Sequence, residues 1–136
     1  MLEITKVWAG PYAGKMLAHL GAEVIKVESA TNLDEMRAYG GVDIDAAPYF
    51  LSINQEVLSV QVNMKTAEGI DLVRQMVAAS DIVKASDEDL DVLQVPGTDV
   101  LDKAHRLLAA VPAGMMALTL GAQGAVLLVK TPQGTV

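Results

Sequence analysis

No cysteine occurs among the 136 residues, which excludes disulfides, thiolate metal sites and cysteine nucleophiles together. Aromatic residues are nearly as scarce: one Trp, one Phe and three Tyr, 4% of the chain. With so few rings, the core is built from Val, Leu, Ile, Ala and Met. That aliphatic mixture is what a parallel sheet covered on both faces requires. Positive charge is also in short supply. The net charge is −7 and the Lys and Arg residues form no cluster, which argues against a nucleic-acid or anionic-membrane surface. A phosphorylated ligand is still permitted, because a local pocket can be positive on an acidic protein. No apolar run reaches the ~18–20 residues of a membrane span, and the first residues lack a signal-peptide pattern. Together with the missing cysteines, this gives a cytoplasmic location as the expectation.

What is present is globular in character: 51% of residues are apolar and 20% charged. The length fits one domain, residues 1–136, with little room for a second. Leu2, Ile4 and Val7-Trp8 read as a strand running into Ala9-Gly10-Pro11, with Pro11 just inside a helix start. Ala13, Met16, Leu17 and Leu20 follow at helical spacing, and Gly21 ends the helix. Residues 23–27, EVIKV, then form a second strand, completing a βαβ unit whose crossover is right-handed. Residues 29–50 are polar and read as a long excursion with one helical turn near 34–38.

Leu58, Val60, Val62 and Met64 alternate with polar residues, the pattern of a strand buried on one face near a sheet edge. Thr66 caps a helix carrying Ile70, Val73, Met76 and Val77 on one stripe. DIVKA at 81–85 is a buried strand, and Ser86 with Asp89 forms a capping box that opens a short helix. Asp99 or Thr98 caps another helix. The apolar strands 115–120 and 125–130 are joined by Gly121-Ala122-Gln123-Gly124 as a hairpin. The sum is a three-layer, doubly wound, Rossmann-like α/β sheet of six strands in the order 3-2-1-4-5-6, the last antiparallel. The ligand cleft of such a sheet opens at the C-terminal strand ends, here near residues 7–11 and 84–87.

No metal site is expected. His19 and His105 have no acidic or histidine neighbours at ligand spacing, and Asp87-Glu88-Asp89 occupies a first helical turn, where the helix dipole accounts for it. No repeat or low-complexity segment is found.

Residues 7–28, VWAGPYAGKMLAHLGAEVIKVE, resemble the class III CoA-transferase family. They are supported in order by NLDEMR at 32–37 and by the stretch 53–83. The resemblance implies a domain that holds coenzyme A, with Val7, Trp8 and Ala9 toward the adenosine end and Arg37 and Lys65 near the phosphates. A basic Lys-Arg-Ser run of that family is replaced by Val57-Leu58-Ser59, and the stretch bearing its catalytic aspartate is not found here. From about Asp81 onward, DIVKASDEDLDVL and MMALTLGAQGAVLLVKTPQGTV resemble the ribokinase–fructokinase family of sugar kinases. That resemblance implies Thr119, Gly121 and Gly124 near a nucleotide.

The two resemblances meet in the strand 81–85. The expectation is therefore an engineered or recombined chimera: a CoA-transferase-like half, 1–83, joined to a sugar-kinase-like half, 84–136. Such a protein has no catalytic residues, no catalytic activity and no cofactor, and self-associates through apolar surface left by lost partners. The alternative expectation is a binding module that keeps weak affinity for CoA or an adenine nucleotide such as ATP.

Overall fold

The computed structural model describes residues 1–40 and 43–136; Gly41 and Val42, within the expected excursion, lie outside the described residues. The elements in chain order are β1 (Leu2–Glu3), α1 (Ala9–His19), β2 (Ile25–Glu28), a 3-10 turn (Glu35–Ala38), α2 (Pro48–Ile53), β3 (Leu58–Gln61) and α3 (Ala67–Ala78). They continue with β4 (Ile82–Ser86), α4 (Asp87–Val92), α5 (Val100–Ala110), β5 (Met115–Thr119), β6 (Ala125–Thr131) and β7 (Gly134–Thr135). One seven-stranded sheet runs β3-β2-β1-β4-β5-β6-β7, as expected for its first six members. β3, β2, β1, β4 and β5 are parallel, and β6 returns antiparallel on β5. The added strand β7 closes a hairpin on β6, with Gly134 at φ 126 and its carbonyl accepting from Thr131 Oγ1 at 2.7 Å. β1 pairs with its sequence neighbour β2 on one side and with β4 on the other, so the switch point falls between β1 and β4.

The helix starts are local and chemical. Thr66 Oγ1 accepts from the Gly69 amide at 3.1 Å, and Asp99 Oδ1 accepts from Asp102 at 2.9 Å. Ser86 and Asp89 form both halves of a capping box. Each such cap satisfies amides that would otherwise lose their partners, and is worth about 1 kcal/mol.

The two sheet faces differ in kind. Leu2, Ile4, Val83, Ala85, Met116, Leu118 and Leu128 pack with Val73 and Val77 of α3, Leu90 of α4 and Ala104 and Leu108 of α5. Successive strand residues point to opposite faces. Glu3, Lys26, Glu28, Lys84 and Thr119 therefore lie on the other face, against which Gly10 and Gly14 of α1 pack. Over β6 that face stays open, with Leu127 55% exposed.

Three local expectations are corrected. β1 was expected to reach Val7-Trp8, but it ends at Glu3, because Val7 adopts φ 70 and turns the chain out of the sheet. The helix α2 was not anticipated. Pro48 starts it, and Phe50 and Ile53 close with Ala47 and Met36 into a second small apolar cluster. The anticipated turn at 34–38 forms as the 3-10 turn capped by Asp34. β3 is an edge strand as expected, yet Leu58 on it is exposed and Val62, just beyond it, is buried. Among the described residues, no helix is long and apolar enough to cross a membrane.

Candidate functional site

The charged residues of the α1 face form a row. Lys26 of β2, Glu3 of β1 and Lys84 of β4 stand in register across three adjacent strands, and all three are buried. Such a row costs desolvation unless each member finds partners. Lys26 Nζ is satisfied by Asp34 Oδ2 and by the Thr5 carbonyl, each at 2.9 Å. Glu3 Oε1 accepts from Thr5 Oγ1 at 2.8 Å, whereas Oε2 is buried with no hydrogen-bond partner. Burial pushes the Glu3 carboxyl up, against the pull of Lys26. Burial likewise pushes the Lys84 ammonium down, against the pull of Glu3 and Asp89.

Asp34 ties this layer to the turn above it. Its carboxylate accepts from the Val7 amide, at 3.2 and 3.3 Å to the two oxygens, and from the Met36 amide at 3.0 Å. A β-branched residue at φ 70 is strained, and strain of that sort persists only where surrounding contacts hold it. Immediately after Val7, α1 begins. Its N-cap residue Trp8 offers no side-chain hydrogen bond, so the first-turn amides are left open.

The turn forms a ridge with a hollow on either side. On one side lies a cleft of about 620 Å³ between the C-terminal ends of β1, β4 and β5, lined among others by Lys6, Ala9, Gly10, Lys84, Ser86, Thr119, Gly121 and Gly124. Lys6, like Lys84, is pushed down by burial. Acidic residues share the lining: Asp87 and Glu88 stand at the start of α4. On the other side, Trp8, Met36, Tyr39 and Tyr49 surround a hollow of about 300 Å³. Tyr39 and Tyr49 meet edge to face, 6.5 Å between centroids, and Trp8, Tyr12, Tyr39 and Tyr49 are all half-exposed. Both hollows sit at the strand ends where open α/β sheets bind ligands.

The expected site residues are therefore partly gathered. Ala9, Thr119, Gly121 and Gly124 share the cleft, Trp8 faces the aromatic hollow, and Val7, in the turn between Lys6 and Trp8, lines neither. Arg37 is engaged elsewhere. Its guanidinium takes both oxygens of Glu28, at 3.0 and 2.6 Å, pairs with Asp45 at 2.9 Å, and lies 3.6 Å over the Phe50 ring. Burial pushes Glu28 up, but bonds from Arg37, the Asp34 amide and Ser59 outweigh it and hold that carboxyl below its usual range. Lys65 stands exposed beyond β3 and is not part of the cleft lining. Lys6, Tyr39 and Tyr49 were not singled out from the sequence, and Lys84 only as part of the segment 84–87 expected to border the cleft. One signal was present for the tyrosines, since all five aromatic residues fall within positions 8–50. Among the described residues, no cluster of His, Cys, Asp and Glu is arranged to hold a metal ion.

Residues 1–107 match the family model described as CoA-transferase family III. The succinate–glutarate CoA-transferase of Agrobacterium fabrum is 41% identical over 91 residues, covering 61% of this chain and 22% of that protein. The chain thus spans about a fifth of the length of this curated relative. A CAIB/BAIF family protein from Brucella suis superposes with a TM-score of 0.70 at 31% identity, over 87% of this chain and 31% of the other. The aminoimidazole riboside kinase of Salmonella enterica reaches a TM-score of only 0.43 at 21% identity, too distant to carry an argument.

These findings overturn the expectation of an engineered or recombined chimera without catalytic activity. The family match runs uninterrupted through 81–85, where the seam was placed, and continues to residue 107. The superposition with the Brucella protein likewise covers most of the chain, and the matched relative is an enzyme by name. This chain belongs to CoA-transferase family III.

Proposed function

We propose that the chain is the coenzyme A-binding portion of a class III CoA-transferase, whose reaction moves CoA from one carboxylic acid to another. The observation that carries this reading is the family match over residues 1–107, together with the strained ridge at Val7 that the matched segment builds between two hollows. Strain of about 1–3 kcal/mol at a ligand-facing turn is characteristic of functional sites. The cleft suits the phosphorylated end of CoA: open glycine edges, unpaired first-turn amides of α1 and two lysines provide for anionic groups. Trp8, Tyr39 and Tyr49 offer apolar contact to an acyl or planar group on the far side. The substrates of the Agrobacterium enzyme, by its name succinate and glutarate, point to dicarboxylates as the acids exchanged.

Calorimetric titration with CoA, with ATP as the comparison, tests the reading. Saturable binding of CoA with at least tenfold preference over ATP is expected. Equal affinities would reassign the cleft to adenine nucleotides in general, and no heat at millimolar CoA would remove the proposal.

A further inference from the structure

Lys84 is 5% exposed, and its ammonium is poorly provided for. It can donate three hydrogen bonds. It makes one, to Thr119 Oγ1, at the long distance of 3.4 Å. Among the described residues no carboxylate lies within 4.0 Å of it, although Glu3 stands beside it in register. Glu3 turns its Oε2 the other way, toward α1, where a Cβ on Gly14 would come within 2.3 Å of it. An interior strand position would accommodate an aliphatic side chain without this penalty, since burying an ammionium that is incompletely paired is costly. A buried cation with unspent donors therefore lines the cleft, in contrast to Lys26 two strands away, which holds a carboxylate and a carbonyl, each at 2.9 Å.

We propose that Lys84 is the cation of an oxyanion site that takes a phosphate group of the ligand in the cleft between the C-terminal ends of β1, β4 and β5. The identification of that ligand as CoA rests on the proposed function; the anion site itself rests on Lys84. Thr119 supplies the second donor. Its hydroxyl lies 3.4 Å from both Lys84 Nζ and the Ala85 carbonyl, so it is free to turn toward a bound oxygen. Ala9 and Gly10, at a helix start without a side-chain cap, line the same space. A Cβ built on Gly121 or Gly124 would meet nothing within 4 Å, so that edge of the cleft is open to a ligand. Asp87 and Glu88, also in the lining, repel an anion there, which places the favoured position on the Lys84–Thr119 side.

The test uses inorganic pyrophosphate and CoA as probes, on the full chain and on Lys84→Met, read by amide NMR shifts and by thermal unfolding. Pyrophosphate is expected to shift Ala9, Gly10 and Gly121 saturably. Lys84→Met is expected to weaken pyrophosphate and CoA at least tenfold while unfolding no lower than the parent chain, because a desolvated charge has been removed. Undiminished pyrophosphate affinity in Lys84→Met overturns the site. CoA binding that survives in Lys84→Met unchanged overturns it too, while leaving the CoA reading intact. Pyrophosphate binding through Lys84 without any CoA binding supports the site and removes the CoA reading. Should Lys84→Met fail to fold, Thr119→Val serves: a several-fold loss of pyrophosphate affinity is expected, and no loss overturns the assignment.

Discussion

The amide of Val7 donates to both carboxylate oxygens of Asp34, at 3.2 and 3.3 Å, although the two residues are 27 positions apart. This contact holds a β-branched residue at φ 70 directly before α1, and so sets how the helix start faces the cleft.

If Val7 is strained, glycine relieves it and alanine does not. Val7→Gly is expected to be more stable than Val7→Ala by about 1 kcal/mol, the ordinary penalty of a Cβ in the left-handed region. Urea unfolding of the pair decides the matter, and an alanine variant as stable as the glycine variant would remove the strain.

Asp34 also neutralises the buried Lys26 at 2.9 Å. Removing one member leaves the other charged and desolvated, so Asp34→Ala should cost about 3–5 kcal/mol. Replacing both, as Lys26→Met with Asp34→Leu, should recover part of that loss, though not the Val7 contact. Chemical denaturation of the double-mutant cycle measures it. Additive losses would show that the pair is not coupled.

Gly14 has no room for a side chain, because an added Cβ would lie 2.3 Å from Glu3 Oε2 and 3.3 Å from Val24. Gly14→Ala should destabilise by about 1–3 kcal/mol, in the range of other overpacked positions. In a Glu3→Ala background most of that penalty should vanish, since the nearer obstruction is then gone. A penalty unchanged by Glu3→Ala would locate the obstruction in the backbone instead.

Glu3 makes the fold respond to pH. Burial raises its carboxyl, so between the ordinary glutamate value of about 4.3 and the raised one the folded chain keeps a proton that the unfolded chain has released. The unfolded state then binds fewer protons, and this group's contribution to stability falls as pH rises through that window. Relative to Glu3→Gln, the parent chain is expected to lose stability as pH rises above the ordinary glutamate range. A parent that gains on the glutamine variant over this range would show that Lys26 and Lys84 hold Glu3 ionised.

The antiparallel return of β6 and the caps at Thr66, Ser86 and Asp99 were legible because each depends on neighbours close in sequence, and the strand order because alternating strands and helices admit few doubly wound arrangements. The end of β1 was not legible, since the Val7 conformation depends on Asp34 and Lys26, brought together only by the folded sheet. The helix α2 escaped notice for a different reason. It spans only six residues, and Tyr49 and Leu51 on it are exposed, so it carries no apolar stripe. Arg37 could be recognised as a lone cation, but its partner Glu28 sits on β2, and nothing local announces their pairing. The stretch 80–90 invited a seam because a buried strand followed by a capping box is short and widely reused. Only the match extending to residue 107 shows that it continues one family.

The central claim is that the ridge between the two hollows binds CoA. Amide NMR of the full chain titrated with CoA tests it most directly. The account predicts saturable shifts confined to residues 5–14, the 3-10 turn Glu35–Ala38, the cleft residues 84–88 and the hairpin turn 119–124, with the distal helix α5 unmoved. No shifts at millimolar CoA, or shifts centred on α5, would contradict it.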